Sequence, residues 1–215
     1  MSTRAPTLAD QAFDIVERMI VTLELEPGTV FSESDLSEQI GIGRTPLREA
    51  LLRLSGDQLI VSLPRRGMMV TDINIADYLA LLDTRRALDR LVCTRAAARA
   101  TPEQRGALGA CADQIEGAAA AGDLADFMRL DRLGDELLEA AADNRYASRS
   151  LAPLHAHCRR FWYRYRSAGD LVESAGLHGR LLRTVASGDE VATAAASDAL
   201  VDYLGDLTRA ALETA

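Results

Sequence analysis

No lysine occurs in the 215-residue sequence, so all 24 Lys and Arg positions are arginine. Each positive charge is therefore a rigid fork suited to phosphate or guanine, although codon bias alone also produces such a composition. Cysteines number three (Cys93, Cys111, Cys158) and are widely spaced, which excludes a disulfide framework and suggests reduced, cytoplasmic thiols. Aromatics make up only 5%, and alanine is abundant from residue 96 onward. That disfavours a β-sandwich and favours packed helices. No apolar run approaches the ~20 residues of a membrane span. The N-terminal stretch "MSTRAPTLADQAFDIVERM" has early acids and no apolar core, so it does not read as a secretion signal. A cytoplasmic protein with no membrane partner is expected.

What is present is ordinary for a globular chain: 48% hydrophobic and 26% charged residues, with net charge −8. The length suits one large domain or two small ones. The acidic balance excludes a non-specific nucleic-acid coat but not a local basic face. One such face exists. Residues 42–70 carry Arg44, Arg48, Arg53, Arg65 and Arg66 against Glu49 and Asp57.

Apolar spacing from Leu8 through Ala12, Ile15, Val16, Met19, Ile20 and Leu23 predicts a helix over 8–25, ended by Pro27 and Gly28. Ser32 caps a short helix at 33–40 and Gly41 closes it. A third helix is expected from Pro46, with Thr45 as its cap, to Gly56. The runs 59–63 and 67–73 around "PRRG" read as a β-hairpin. Three helices and a hairpin in about 70 residues form a winged helix-turn-helix pattern. Beyond Ile75 only helices are expected, over 75–100, 103–121, 123–142, 144–168, 170–187 and 189–213. "TPE" (101–103), "AGD" (121–123), "DN" (143–144), "AGD" (168–170) and "SGD" (187–189) punctuate them. The fold class is mainly α: a winged helix-turn-helix over 1–74, then an all-helical bundle over 75–215.

Arg44 and Arg48 sit one turn apart at the start of the third helix, where the helix dipole disfavours cations. An anion brought there would meet free amides, the dipole and two guanidiniums together. DNA supplies phosphates and guanine edges. The plainer alternative is a solvated surface helix. The short helix before it and the Arg65-Arg66-Gly67 tip after it favour DNA, with the tip entering a minor groove or gripping phosphate. The stretch "SESDLSEQIGIGRTPLREALLRLSGDQLIVSLPRRGMMV" (32–70) resembles the signature of GntR-type bacterial transcriptional regulators. The helical remainder is similar to the FadR-like branch with an FCD effector domain. The resemblance places Arg44, Thr45, Arg48 and Gly67 on operator DNA; Arg53, Arg65 and Arg66 complete the candidate set. Two departures stand out. Ser34 replaces a frequent Arg, which implies a lost DNA contact. Gln58 replaces a usual Gly, so Gly56 is expected to move the helix end upstream and tilt the hairpin.

In the expected sensor, Asp131 and Asp135 lie i,i+4 on the face shared by Leu124, Phe127, Met128, Gly134 and Leu138. Buried like charges need a cation, an arginine or a proton. In the family this helix carries Asp-x-x-x-His, with two later His completing a divalent-metal site. Here Asp135 stands in the His place, His178 matches a ligand, and 197–207 contains no His. Asp131, Asp135 and His178 form an incomplete metal set that could take Zn, Ni or Mn. Arg85, with Asp89 one turn on, is either a structural ion pair or an anion clamp for an effector carboxylate. The stripe Leu151, Leu154, His155, Cys158, Phe161, Trp162 and Tyr165 is either core or a pocket with polar handles at His155, Trp162 and Tyr165. His157 lies off the stripe and is expected in solvent. Arg85, Asp131, Asp135, His155, Trp162, Tyr165 and His178 are thus the effector candidates. The leading reading is a regulator, not an enzyme. It is expected to be a homodimeric repressor on a palindromic double-stranded operator, released by a small carboxylate-type metabolite. The alternatives are a constitutive DNA binder with a degenerate sensor and a metal-dependent helical-bundle enzyme.

Overall fold

The computed structural model describes residues 5–167 and 169–214; residues 1–4, 168 and 215, including Ala168 of the expected break at 168–170, lie outside that description. The chain divides into two compact units: the chain up to Asn74 with Ala156–Arg164, and Ile75–His155 with Tyr165 onward.

In the first unit, α1 (Leu8–Val21) opens with a capping box in which Thr7 and Asp10 satisfy each other's amides. It ends four residues sooner than expected. The Thr22 hydroxyl donates to the Arg18 carbonyl, Leu23 turns left-handed at φ 59°, and the Leu25 amide returns to Met19. The chain has therefore turned before Pro27. α2 (Glu33–Ile40) is capped by Ser32 and closed by left-handed Gly41. α3 (Arg44–Gly56) starts earlier than predicted, with Gly43 as its cap and no side-chain hydrogen bond there. Pro46 is the third helical residue. It still lies in the first turn, whose amides have no helical partner, so it removes no hydrogen bond.

The end of α3 also differs from expectation. Gly56 stays helical, and Gln58 itself takes φ 61°. The Gln58 amide donates to Ser55 and the Leu59 amide to Leu54, the paired closure that usually selects glycine. The turn has not moved upstream. Two strands follow, β2 (Ile60–Leu63) and β3 (Gly67–Val70), pairing from Ile60↔Val70 to Leu63↔Gly67. A strand the sequence reading missed, β1 (Val30–Phe31), pairs with β3 through Val30↔Met69 and Phe31↔Met68, giving the order β1-β3-β2. Two residues are too few to show alternation. Gly67 has φ 97°, and a Cβ there would strike the Phe31 carbonyl, so the wing requires glycine at this position. Val16, Ile20, Leu36, Leu47, Leu51, Leu54, Leu59, Ile60, Val70 and Ala156 share one core.

The second unit contains α4 (Ile75–Arg99), α5 (Pro102–Ala120), α6 (Leu124–Ala142), most of α7 (Arg145–Tyr165), α8 (Asp170–Ser187) and α9 (Glu190–Thr214). Helix α4 packs on α6 and α9, α5 on α6 and α8, and α8 on α9. Arg105 ties two helix ends together. It donates to Ala97 and Ala100 at the end of α4 and to Val185 and Ala186 at the end of α8. A guanidinium among C-terminal carbonyls also meets the negative end of both dipoles. No described helix is long and apolar enough to cross a membrane.

Candidate nucleic-acid interface and sensor cluster

Leu47, Ala50, Leu51 and Leu54 bury one face of α3. The opposite face presents Arg44, Arg48 and Leu52 at successive turns, and Leu52 is 68% exposed. Thr45 is exposed beside them, as are Arg65 and Arg66 at the hairpin tip, where Arg65 is left-handed at φ 62°. No acid lies in the first turn of α3. Arg48 is nevertheless engaged. Glu33, the first residue of α2, accepts from its Nε at 3.2 and 3.1 Å and from its Nη2 at 2.6 Å. Hydrogen bonding from Arg48 holds the Glu33 carboxyl below its ordinary range.

Arg53 does not share this face. Its Nη1 lies 2.9 Å from Asp10 and its guanidinium stacks 4.1 Å above the Phe13 ring. The apolar face of Leu47, Ala50, Leu51 and Leu54 leaves Arg53 among the outward residues, and about 140° of helix rotation from Arg48 turns it toward α1. Ser34, where the sequence resemblance implied a lost DNA contact, shares a 2.8 Å hydrogen bond with the capping hydroxyl of Ser32.

His157 also differs from expectation. It is half-buried, and its Nε2 is 2.9 Å from the Asp57 carbonyl at the end of α3. Burial lowers its pKa and raises that of Asp57. Three residues further, Arg160 is 1% exposed and donates to the Thr71 carbonyl and, at 3.3 Å, to its hydroxyl. Burial lowers its pKa to about 10. No sequence signal singled out Arg160, because it lies off the apolar stripe of α7 next to Arg159, where an arginine reads as solvated.

In the second unit, Arg85 and Asp89 form a buried i,i+4 pair at 2.7 Å, so the structural alternative describes their geometry. Asp89 also receives His155 Nε2 at 2.8 Å. The other ring nitrogen of His155 is 3.0 Å from Asp135, close for an ion pair though poorly angled for a hydrogen bond. Both nitrogens thus face carboxylates, which fits only the doubly protonated ring. Burial opposes that charge, but Asp135 and Asp89 outweigh it and raise the pKa to about 10. Burial likewise disfavours charge on Asp89, yet Arg85 and His155 hold it below its ordinary value. His178 repeats the pattern. Its Nδ1 meets the Ser174 carbonyl at 2.8 Å and its Nε2 meets Asp131 at 2.7 Å. Two acceptors again require two protons, and Asp131 raises the pKa against the effect of burial.

The crowding of Asp131 and Asp135 is thus resolved by one histidine each. Arg85, His155 and His178 balance Asp89, Asp131 and Asp135. Among the described residues no three His, Cys, Asp or Glu side chains are grouped as metal ligands. His178, oriented by a carbonyl, has the posture of a zinc-type ligand, and Asp131 faces it. Asp135, the third member of the expected set, lies against His155. A cavity of about 20 Å³ lies beside the cluster, lined by Arg85, Asp89, Asp131, Asp135, His178 and Leu200 among others; it has room for about one water. Trp162 and Tyr165 are not among its described lining residues. Trp162 is buried within the segment assigned to the first unit. Tyr165 borders a separate groove of about 670 Å³ with Leu177, Tyr203 and Leu207.

Comparison with known proteins matches residues 8–70 to the bacterial regulatory proteins of the gntR family and residues 80–203 to the FCD domain. The HTH-type transcriptional regulator YdfH of Escherichia coli O6:H1 is 32% identical over 158 residues, covering 74% of this chain and 69% of that one. The HTH-type transcriptional repressor RspR of Escherichia coli K12 is 33% identical over 153 residues, covering 71% and 67%. Among solved structures, E. coli McbR/YncC superposes with a TM-score of 0.83 at 18% identity, covering 96% of this chain and 99% of that one. That likeness shows the fold.

Proposed function

The chain belongs to the gntR family of bacterial regulatory proteins and carries an FCD domain, and from that premise we propose that it is a ligand-responsive repressor binding a palindromic operator as a homodimer. The observation that carries the DNA reading is the outward pair Arg44 and Arg48 on the first turns of α3. Thr45 and the tip residues Arg65, Arg66 and Gly67 complete the proposed interface, and Arg53 supports it from behind by fixing α3 on α1. A dimer follows from reach, because one recognition helix reads only a few base pairs and a symmetric site doubles them. The proposed domains are 1–74 for DNA and 75–215 for the effector and dimerisation, acting in the cytoplasm and without catalysis.

The proposed effector is a small carboxylate that competes with Asp89, Asp131 and Asp135 for Arg85, His155 and His178. The 20 Å³ cavity does not admit it without parting the helices. That requirement gives the ligand a differential affinity for two states, without which it could regulate nothing. A second reading is a constitutive regulator. Its support is the same cluster, whose charges already balance internally.

Selection from a random-sequence duplex pool should enrich a palindrome. Arg48→Ala should lose affinity for it while the melting temperature is kept; unchanged affinity would refute the recognition-helix reading. A thermal-shift panel of carboxylate metabolites separates the two sensor readings. A ligand at 100 times its Kd adds about 2.7 kcal/mol of stability and should weaken operator binding. If no carboxylate does both, the constitutive reading stands.

A further inference from the structure

The Glu33–Arg48 pair is not part of any role assigned so far. It puts a carboxylate at the edge of a surface meant for a polyanion, where charge alone would remove it. Its geometry gives it another use. Glu33 grips Arg48 from the side, through Nε and Nη2. A guanidinium has five N–H donors in a fixed plane, so this grip leaves the end fork of Nη1 and the second Nη2 hydrogen to point along the side chain. An end fork is suited to the O6 and N7 acceptors of guanine. Arg48 is 64% exposed and Glu33 is 32% exposed; the carboxylate sits below the guanidinium and leaves its tip open. The charge of Arg44 adds a weaker pull on the Glu33 carboxylate. Ser32 fixes the start of α2 through the Asp35 amide at 3.1 Å, and a glutamate at the first helical position is favoured by the dipole. Glu33 therefore starts from a capped helix end.

We propose that Glu33 is the positioning residue of the DNA interface: by holding the side edge of Arg48 it aims the end fork at a guanine, trading general affinity for base discrimination. The proposal rests on the reading of α3 as the recognition helix. Removing Glu33 would free the guanidinium to swing onto phosphates and would also remove a negative charge. Specific binding should then fall while non-specific binding rises. A residue needed only for folding would lower both.

The probes are the duplex that wild type enriches from a random pool, the same duplex with 7-deazaguanine at each conserved guanine in turn, and a scrambled duplex. Glu33→Gln keeps size and polarity but cannot form the bidentate grip. It should weaken specific binding by about tenfold or more, and bind the scrambled duplex as tightly as wild type or tighter. One 7-deazaguanine position should weaken wild type and leave Glu33→Gln unaffected. Glu33→Asp, which shortens the reach but keeps the carboxylate, should recover part of the discrimination. The proposal is overturned if Glu33→Gln keeps wild-type discrimination, or if it loses specific and scrambled binding in equal measure. The premise fails separately: if wild type enriches no sequence, or Arg48→Ala binds the enriched duplex normally, then α3 does not read DNA.

Discussion

His155 carries the clearest consequence at the scale of single residues. Its pKa is about 10 in the fold against an ordinary value near 6.5. A group raised on folding adds stability that is complete below its unfolded pKa and lost as pH rises through the folded one. The melting temperature should therefore fall as pH climbs from about 6.5 to 10. Asp89, lowered on folding, works in the opposite sense and protects only above the ordinary carboxylate range. His155→Gln leaves Asp89 and Asp135 without their shared cation. Breaking a buried pair costs about 3–5 kcal/mol, so the variant should be destabilised at pH 6.5 and lose most of the alkaline decline. Thermal melts at pH 6.5 and 9.5 test both points, and equal slopes in wild type and variant would show that the ring is neutral.

At the scale of elements, the helices of the second unit were legible to within about three residues because Gly, Asp and Thr mark nearly every break. The first unit shows where that legibility stops. Gln58 occupies a left-handed closure that costs a non-glycine residue about 1–2 kcal/mol. Gln58→Gly relieves that strain but loosens the unfolded chain. The net gain should be about 0.5–1 kcal/mol, read as a higher urea midpoint at unchanged m-value. Strand β1 was unreadable because pairing with β3, not its own two residues, defines it. The contacts of Arg53 with Asp10 and Phe13 were not legible, because helical periodicity gives its outward direction but not that α1 packs beside it. Of the sensor site, the inward turn of Asp131 and the pairing of Arg85 with Asp89 were readable from spacing. The partner of Asp135 was not. His155 comes from a different helix, and no one-dimensional pattern records which face of α7 meets which face of α6.

For the whole molecule, net charge and local charge act against each other. The chain carries −8, so non-cognate DNA is repelled at long range, while each proposed interface gathers four exposed arginines. With roughly six to eight phosphate contacts from two copies, operator affinity should fall by about a thousandfold between 50 and 200 mM salt. Fluorescence anisotropy across that range measures the slope. A flat response would mean that phosphates contribute little.

The exposed row on α3 and the hairpin tip contain guanidinium as their only cation. Guanidinium keeps its charge above pH 12 and has no primary amine. Reagents and enzymes that acylate amines, which silence lysine-based DNA surfaces by removing charge, find no target on this face. Its strength is therefore fixed chemically, leaving geometry, such as the hold of Glu33 on Arg48, as the variable by which binding is adjusted.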